Sequence, residues 1–336
     1  MARSPVFDVR RREFITLVGG AVTVWPYVVR AQEPARFRRV GVLMNVAENE
    51  LEGQATLAAF VRRLNELGWT EGRNLRLDVR WAAGDREHYQ RYAQELVALS
   101  PDVILCRTST VVAVLQQTTR TVPIVFVSTI DPVGAGLVDS LAQPGGNTTG
   151  FVAFEYAIAA KWLELLKEIA PSVTRALVLR DATISAGIGQ FAAIQAVAPI
   201  GMELSVIGVH DAQAIEHAVA AFARRPNGGL VVTANPYGSN HSRAIAALAA
   251  RYKLPAVYPF SYYVRAGGLI SYGPDDLVQF IQGAGYVDRI LKGEKPADLP
   301  VQAPVKYELV INLKTVQALG REIPATVLAR ADEVIE

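Results

Sequence analysis

Three consecutive hydroxyl side chains mark the point where a predicted strand gives way to a predicted helix. Thr108, Ser109 and Thr110 follow the apolar stretch at 103–106, and the helix is predicted over 110–119. Hydroxyl donors combined with the free N–H groups of a helix N-terminus suit an anionic group such as a carboxylate. The same residue types are also typical of an ordinary helix N-cap, so the two interpretations stay open at this stage.

Other polar side chains follow predicted strands in the first half of the chain. Asn45 ends the first strand, with Glu48 in the loop behind it, and Thr129 and Asp131 follow the strand predicted over 122–127. Because the carboxyl ends of parallel strands meet at one edge of a sheet, we expect these groups to lie beside the three hydroxyls. A turn at Asp131, which precedes a proline, is the alternative interpretation of that residue.

The second half of the chain has a matching set of side chains at its own predicted strand ends. Carboxylates in this set could bind a ligand ammonium group, and aromatic rings could stack on an aromatic ring or a cation. Glu155 could instead cap the helix that follows it, and Tyr272 could be a packed core tyrosine. The candidate binding residues are Phe154, Glu155, Asp181, Asn235, Tyr237 and Tyr272.

The chain lacks the spaced motifs that carry common catalytic chemistry. It has no Gly-x-Ser-x-Gly elbow, no phosphate-binding Gly-x4-Gly-Lys-Ser/Thr loop and no His-Glu-x-x-His zinc motif. Cys106, the single cysteine, lies in an apolar stretch and is predicted to be a buried small side chain. No metal-ligand spacing links the four histidines, His88, His210, His217 and His241. We therefore predict no catalytic residue, no metal site and no cofactor.

Short apolar stretches alternate with amphipathic helical stretches along the whole chain, and they must position these side chains. This alternation predicts an α/β fold of two Rossmann-like lobes with parallel sheets. A strong turn cluster at 143–150 separates two similar halves. We predict that residues 38–149 and 260–293 form the first lobe and that 150–259 and 294–336 form the second. Several crossings between lobes make a multi-strand hinge, which supports rigid-body closure.

Residues 1–31 have the pattern of an export signal. Two adjacent arginines at positions 11 and 12 precede an apolar run over 14–29, and Ala31 offers a small residue for cleavage by signal peptidase. The paired arginines resemble the twin-arginine (Tat) class of signals. An uncleaved membrane anchor is the alternative, although the run is shorter than the about 20 residues that span a bilayer. We predict cleavage after Ala31 and a periplasmic location.

The charge of the chain gives no electrostatic reason to bind nucleic acid. The full sequence has 34 basic and 32 acidic residues. The predicted signal holds five of the basic and two of the acidic residues, which leaves 29 basic against 30 acidic residues in the remainder. A nearly balanced charge argues against nucleic acid and anionic membrane surfaces as partners.

Many short motifs occur in one order over nearly the whole length of the chain. They include Leu67-Gly68-Trp69, Asp131-Pro132-Val133, Gly136-Leu137-Val138, Pro144-Gly145-Gly146-Asn147, Gly267-Gly268-Leu269, Ser271-Tyr272-Gly273 and Ala331-Asp332-Glu333. Together they resemble the ABC transporter substrate-binding protein family of the tryptophan/tyrosine periplasmic-binding type. This resemblance implies a type I periplasmic-binding fold that delivers a small molecule to an inner-membrane permease.

We therefore expect an exported solute-binding protein of an ABC importer that acts as a monomer and is not an enzyme. The expected ligand is amino-acid-like, and by resemblance alone an aromatic amino acid is the first candidate. A branched amino acid, another carboxylate or an aromatic acid is an alternative ligand. A secreted lyase or hydrolase on the same fold and a ligand-sensing protein that feeds a membrane receptor are the alternative functions.

Overall fold

Two mainly parallel sheets organise residues 37–209 and 211–336, which are the residues that the structure, a computed structural model, describes. The predicted export signal and His210 lie outside the described residues. Helices cover the sheets, and many strand residues are fully buried, as sheets covered on both faces require. The prediction of an α/β protein with two Rossmann-like lobes is confirmed.

The first lobe is built on a five-stranded sheet. Its strands are β1 (Arg38–Met44), β2 (Leu75–Trp81), β3 (Val103–Arg107), β4 (Ile124–Thr129) and β5 (Thr148–Val152). They lie in the order β2-β1-β3-β4-β5, and all neighbouring strands run parallel. The connecting helices are α1 (Leu51–Glu66), α2 (Arg86–Ala98) and α3 (Ser109–Thr118).

The second lobe is built on a seven-stranded sheet. Its strands are β6 (Arg175–Arg180), β7 (Glu203–Gly208), β8 (Gly228–Val232), β9 (Ala256–Tyr258), β10 (Ile270–Gly273), β11 (Glu308–Asn312) and β12 (Glu333–Ile335). They lie in the order β12-β11-β10-β9-β8-β6-β7, and within this sheet β10 and β11 pair antiparallel. Its helices are α4 (Ile158–Ile169), α5 (Ser185–Val197), α6 (Ala212–Ala223), α7 (Pro236–Asn240), α8 (Ser242–Arg251) and α9 (Ser261–Arg265).

The remaining helices complete the two lobes. After β10 the chain returns to the first lobe as α10 (Asp276–Leu291), and α11 (Leu313–Ala318) and α12 (Ala325–Leu328) follow β11. The apolar face of α10 packs into the first core, where Phe280 and Val287 are fully buried with Leu105 and Val127 of the first sheet. The helix therefore ties the late part of the chain to the first lobe.

The predicted division of the lobes is wrong at two places. The sequence pattern predicts residues 260–273 in the first lobe, but β10 pairs with β9 and β11 in the second sheet. It predicts residues 294–302 in the second lobe, but Leu299 and Val301 are buried in the first core, and Gln302 forms a bridge with Phe151. A four-residue strand carries no pattern that identifies its sheet, because only its pairing partners decide that.

Candidate binding cleft

A cavity lies where residues of the two lobes face each other, and we call it the cleft cavity. It has about 430 Å³ of empty space, part of which is open solvent at its mouth. Residues from both lobes line it. They are Arg107, Thr108, Ser109, Ser128 and Ile130 from the first lobe and Ile184, Ala186, Ala234, Asn235, Pro236, Ser239 and Phe260 from the second.

The junction between β3 and α3 brings polar groups of the first lobe to the cleft cavity. Thr108 has a φ of 76°, in the left-handed region that residues other than glycine rarely adopt. No side chain caps α3, and Thr108 Oγ1 is buried without a hydrogen-bond partner among the described residues. Ser109 Oγ lies 3.2 Å from the carbonyl oxygen of Ile130, which fixes the junction to the end of β4. The N-terminus of α3 therefore offers unused donors at the cavity.

Arg107, the last residue of β3, is a buried cation in the cavity wall. Its side chain is only 3% exposed, and its Nη2 forms an ion pair with the equally buried carboxylate of Asp276 on α10. Ser128 Oγ donates a hydrogen bond to the same carboxylate at 2.6 Å. Within the part of the chain that the structure describes, Arg107 Nε has no hydrogen-bond partner. One donor of this cation is therefore unsatisfied within the cavity wall.

The second lobe presents a helix N-terminus of its own. Helix α5 begins at Ser185, and its flanking residues Ile184 and Ala186 both line the cleft cavity. Within residues 37–209 and 211–336, no side chain caps this helix either. The first N–H groups of any helix lack intrahelical acceptors and carry partial positive charge. The positive ends of α3 and α5 thus reach the cavity from opposite lobes.

Asn235 and Phe260 form fixed walls of the cleft cavity. The Oδ1 atom of Asn235 accepts a hydrogen bond from the Gly238 N–H at 2.6 Å, and its Nδ2 donates to the carbonyl oxygen of Thr233 at 2.8 Å. The Phe260 ring stacks on Tyr262, with ring centres 5.3 Å apart. Asn235 therefore has both ends of its amide engaged, and Phe260 supplies a rigid apolar surface.

A larger cavity, which we call the charged cavity, shares Arg107 and Ser239 with the cleft cavity. It has about 1,260 Å³ of empty space, including open solvent, and its charged lining residues are Glu50, Glu52, Arg107, Arg243 and Arg265. Glu52 Oε2 on α1 lies 3.9 Å from Arg265 Nη1 on α9, so this pair joins the two lobes. Burial, and next the negative charge of Asp276, raise the pKa of the Glu52 carboxyl.

A third cavity, which we call the hinge cavity, lies beside segments that connect the two lobes and has about 670 Å³ of empty space, including open solvent. Tyr156 OH of the second lobe donates a hydrogen bond to Asp131 Oδ2 of the first lobe at 2.5 Å. The other oxygen of Asp131 accepts from the Gly134 N–H at 2.8 Å. Most of the residues that line this cavity are apolar. The full lining is Asp131, Pro132, Val133, Leu141, Val152, Phe154, Glu155, Tyr156 and Ala303.

The structure places six of the predicted binding residues at these cavities. Three of them, Thr108, Ser109 and Asn235, line the cleft cavity. The other three, Asp131, Phe154 and Glu155, line the hinge cavity. That any of them contacts a ligand stays a prediction.

Four further predicted residues belong to the first lobe but line none of these three cavities. Asn45 and Thr129 are fully buried just beyond β1 and at the end of β4, and side-chain polar atoms of both lack partners among the described residues. Glu48 is exposed, and Thr110 lies in the first turn of α3. The structure therefore brings them to the expected sheet edge without exposing them to these cavities.

The last three predicted residues lie in the second lobe and also line none of the three cavities. Asp181 lies in the loop after β6. Tyr237 stacks on His241, with ring centres 4.0 Å apart. Tyr272, which we predicted on a strand of the first lobe, lies on β10 of the second sheet and packs against Tyr307. The expected position of Tyr272 in the first lobe is therefore wrong.

Sequence reasoning missed several residues of the cleft cavity, of which Arg107 and Phe260 are the most prominent. A signal for Arg107 existed, since it is the one charged residue of the strand Val103–Arg107 and directly precedes the three hydroxyls. Phe260 carried no comparable signal, because it is one of several aromatic residues after β9 and only the packing of lobe on lobe selects it.

The described residues give no sign of a metal centre or a membrane span. No group of three or more His, Cys, Asp or Glu side chains among them could hold a metal ion. None of the helices within residues 37–209 and 211–336 has both the length and the apolar character needed to cross a bilayer. Cys106 is buried, and burial raises the pKa of its thiol, which disfavours the reactive thiolate.

Comparison with known proteins connects this geometry to a family. A family model described as ABC transporter substrate binding protein matches residues 39–335. A tyrosine-binding protein from Clostridioides difficile is 24% identical over 270 residues, which is 78% of this chain and 76% of the relative.

Two solved structures are similar over 89% of this chain and 100% of their own length. A conserved domain protein from Vibrio cholerae has a TM-score of 0.82 and 29% identity. An ABC domain in complex with L-Trp from Streptococcus pneumoniae has a TM-score of 0.81 and 25% identity. The two-lobed architecture is thus that of type I periplasmic binding proteins.

Proposed function

The chain belongs to the ABC transporter substrate-binding protein family, and from this premise we propose that it is the exported solute-binding component of an importer. Its proposed ligand is small and amino-acid-like in size, with a carboxylate and an apolar body, and binds in the cleft cavity. The relatives named for tyrosine and L-Trp support a ligand of this size. We propose no catalytic role, because this family is one of binding proteins.

One observation carries the proposal more than any other. The N-terminus of α3 lines a cavity between residues of both lobes, together with the buried Arg107 and the Thr108 hydroxyl, which has no hydrogen-bond partner in the part of the chain that the structure describes. Helix N-termini and guanidinium groups are favourable partners for carboxylates, and a desolvated site strengthens both interactions. This arrangement supports capture of a carboxylate ligand between the lobes.

The proposed mechanism is closure of the lobes around the ligand. A ligand that contacts both lobes binds the closed state more tightly than the open state, and only this difference in affinity can shift the equilibrium. The closed, ligand-bound monomer would then dock on an inner-membrane ABC permease. The predicted export signal supports a periplasmic site for this step.

Thermal unfolding of the full chain with and without candidate carboxylates tests the proposal. A ligand present at 100 times its Kd is expected to add about 2.7 kcal/mol to the free energy of unfolding. Isothermal titration then gives the affinity. A panel of amino acids, aromatic acids and branched aliphatic acids that leaves the unfolding temperature unchanged would contradict the proposal.

A matched pair of variants on α5 and its N-cap locates the site. Ile184→Trp fills part of the cleft cavity from a partly exposed position and is expected to weaken ligand binding at least tenfold (about 1.4 kcal/mol). The control is Ile188→Trp, one turn further along the helix, where the residue is 54% exposed and does not line the cavity. This variant should bind the ligand with the same affinity as the unaltered chain.

A further inference from the structure

We infer that the ligand of the cleft cavity is an apolar carboxylic acid without an α-ammonium group. This inference rests on the proposed function and narrows its substrate class. The argument comes from the charges and hydrogen-bonding capacity of the cavity walls. An amino acid needs donors for its carboxylate and acceptors for its ammonium group. The described side chains of the cavity provide donors for a carboxylate but no carboxylate to accept from an ammonium group.

The donors at the cleft cavity favour an anion from both sides. The uncapped N-termini of α3 and α5 reach it from opposite lobes. Arg107 adds N–H donors of a side chain that is 3% exposed, and its Nε has no hydrogen-bond partner among the described residues. An ammonium group placed among these groups would meet the partial positive charges of two helix ends and the donors of a guanidinium, and none of these accepts a hydrogen bond.

Acceptors that could compensate an ammonium group do not line the cleft cavity. Among the described residues, its lining contains no Asp and no Glu. Asp276, behind the wall, is already paired with Arg107 and accepts a hydrogen bond from Ser128. Asp131 accepts hydrogen bonds from Tyr156 OH and the Gly134 N–H, and it lines the hinge cavity instead.

The neutral side-chain acceptors of the lining are also occupied or weak. Oδ1 of Asn235 accepts from the Gly238 N–H, and Ser239 Oγ accepts from Tyr262 OH at 2.7 Å. The Ser128 hydroxyl donates its hydrogen bond to Asp276, so only the lone pairs of its oxygen remain as acceptors. Transfer of an ammonium group from water to such a site is unfavourable without a carboxylate partner.

The rest of the lining suits an apolar body. Ile130, Ile184, Pro236 and Phe260 surround the space next to the donors. The flat Phe260 ring, held against Tyr262, can stack on an aromatic ring or cover an aliphatic chain. The chemistry of the walls thus selects a monocarboxylate with an aryl or branched alkyl group.

Isothermal titration of the full chain with paired ligands tests this inference. Each pair differs only in the α-amino group: L-phenylalanine against 3-phenylpropionate, L-tryptophan against indole-3-propionate, and L-leucine against 4-methylpentanoate. We expect the acid of at least one pair to bind about tenfold or more tightly than its amino acid. Tighter binding of the amino acid in every pair that binds would overturn the inference and leave the proposed function standing. No binding by either member of any pair would contradict both.

A variant that adds the missing carboxylate gives a second test. Ser239→Asp places an acid in the wall of the cleft cavity, at a partly exposed position, and should shift the affinity ratio about tenfold towards the amino acid. Ser242 lines the charged cavity but not the cleft cavity, so Ser242→Asp should leave the ratio of the two affinities unchanged. An unchanged ratio in Ser239→Asp would contradict the electrostatic argument.

Discussion

At the scale of single residues, the ion pair of Arg107 and Asp276 connects the cleft to the stability of the fold. It joins the end of β3 to the start of α10, and both side chains are almost fully buried. Removal of one partner from a buried pair leaves an uncompensated charge, whereas replacement of both by apolar groups often costs little. The position of α10 on the first sheet is therefore coupled to the end of β3 through this ion pair.

Arg107→Met is expected to lower the free energy of unfolding by about 3–5 kcal/mol, because Asp276 would keep a buried charge without its partner. The double variant Arg107→Met with Asp276→Leu is expected to recover most of this loss. Urea denaturation of both variants measures the difference. A single variant as stable as the unaltered chain would contradict the importance of the pair.

The raised pKa of Glu52 predicts a pH-dependent stability effect. Because the folded state holds this proton more tightly than the unfolded chain does, stability falls as the pH rises from the ordinary value of 4.5 through the raised pKa. Glu52→Gln should therefore raise Tm at pH 7 and give a smaller difference at pH 4. Thermal unfolding of Glu66→Gln, at the end of the same helix, serves as control. A difference that grows at pH 4 would contradict this prediction.

The sequence predicts positions at strand ends better than it predicts which of them face the cleft. Thr108, Ser109 and Asn235 follow buried strands, and the parallel-sheet rule brings them to the cavity. Asn45 and Thr129 obey the same rule but stay buried. Exposure to the cavity depends on the orientation of each side chain and on the opposing lobe, and neither is encoded in a local pattern.

At the scale of elements, the first turn of α5 requires a glycine. A Cβ atom at Gly187 would lie 1.7 Å from the carbonyl oxygen of Asp181, so a larger residue must displace the start of the helix. Gly187→Ala is expected to lower the free energy of unfolding by about 1–3 kcal/mol and to weaken ligand binding, because the N-terminus of α5 would move. Chemical denaturation and titration measure the two effects.

Gly285 on α10 is the matched control for Gly187. A Cβ atom there would meet no heavy atom within 4 Å, so alanine brings only its better helix propensity. Gly285→Ala is expected to raise the free energy of unfolding by about 0.5–1 kcal/mol. If both variants changed stability by the same amount, the packing argument for Gly187 would fail.

The longer elements could be predicted from the sequence, whereas the crossings between lobes could not. Apolar periodicity predicted α1 to within one residue of its observed end at Glu66. The four residues of β10 predicted a strand but not its sheet, and the buried Leu299 was placed in a linker. The lobe to which each of these segments belongs is determined by long-range packing, and a short apolar pattern does not predict such contacts.

At the scale of the whole molecule, polar contacts outside the lining of the cleft cavity help to join the lobes. Two of them are the hydrogen bond from Tyr156 to Asp131 and the weaker pair of Glu52 with Arg265. Neither contact involves a residue of the cleft lining. They are therefore able to favour the closed form without touching the ligand, and any loss in them should appear as a loss of ligand affinity through the closure equilibrium.

Tyr156→Phe tests this coupling, because it removes the hydroxyl and keeps the ring. We expect Kd for a ligand found by titration to rise about threefold to tenfold, which corresponds to a hydrogen bond of about 0.5–1.5 kcal/mol. In small-angle X-ray scattering, more ligand should be needed to reach the compact form. Tyr92→Phe removes a hydroxyl that bonds only within the first lobe, to Arg91, and should change neither measurement. An unchanged Kd in Tyr156→Phe would show that closure does not depend on this contact.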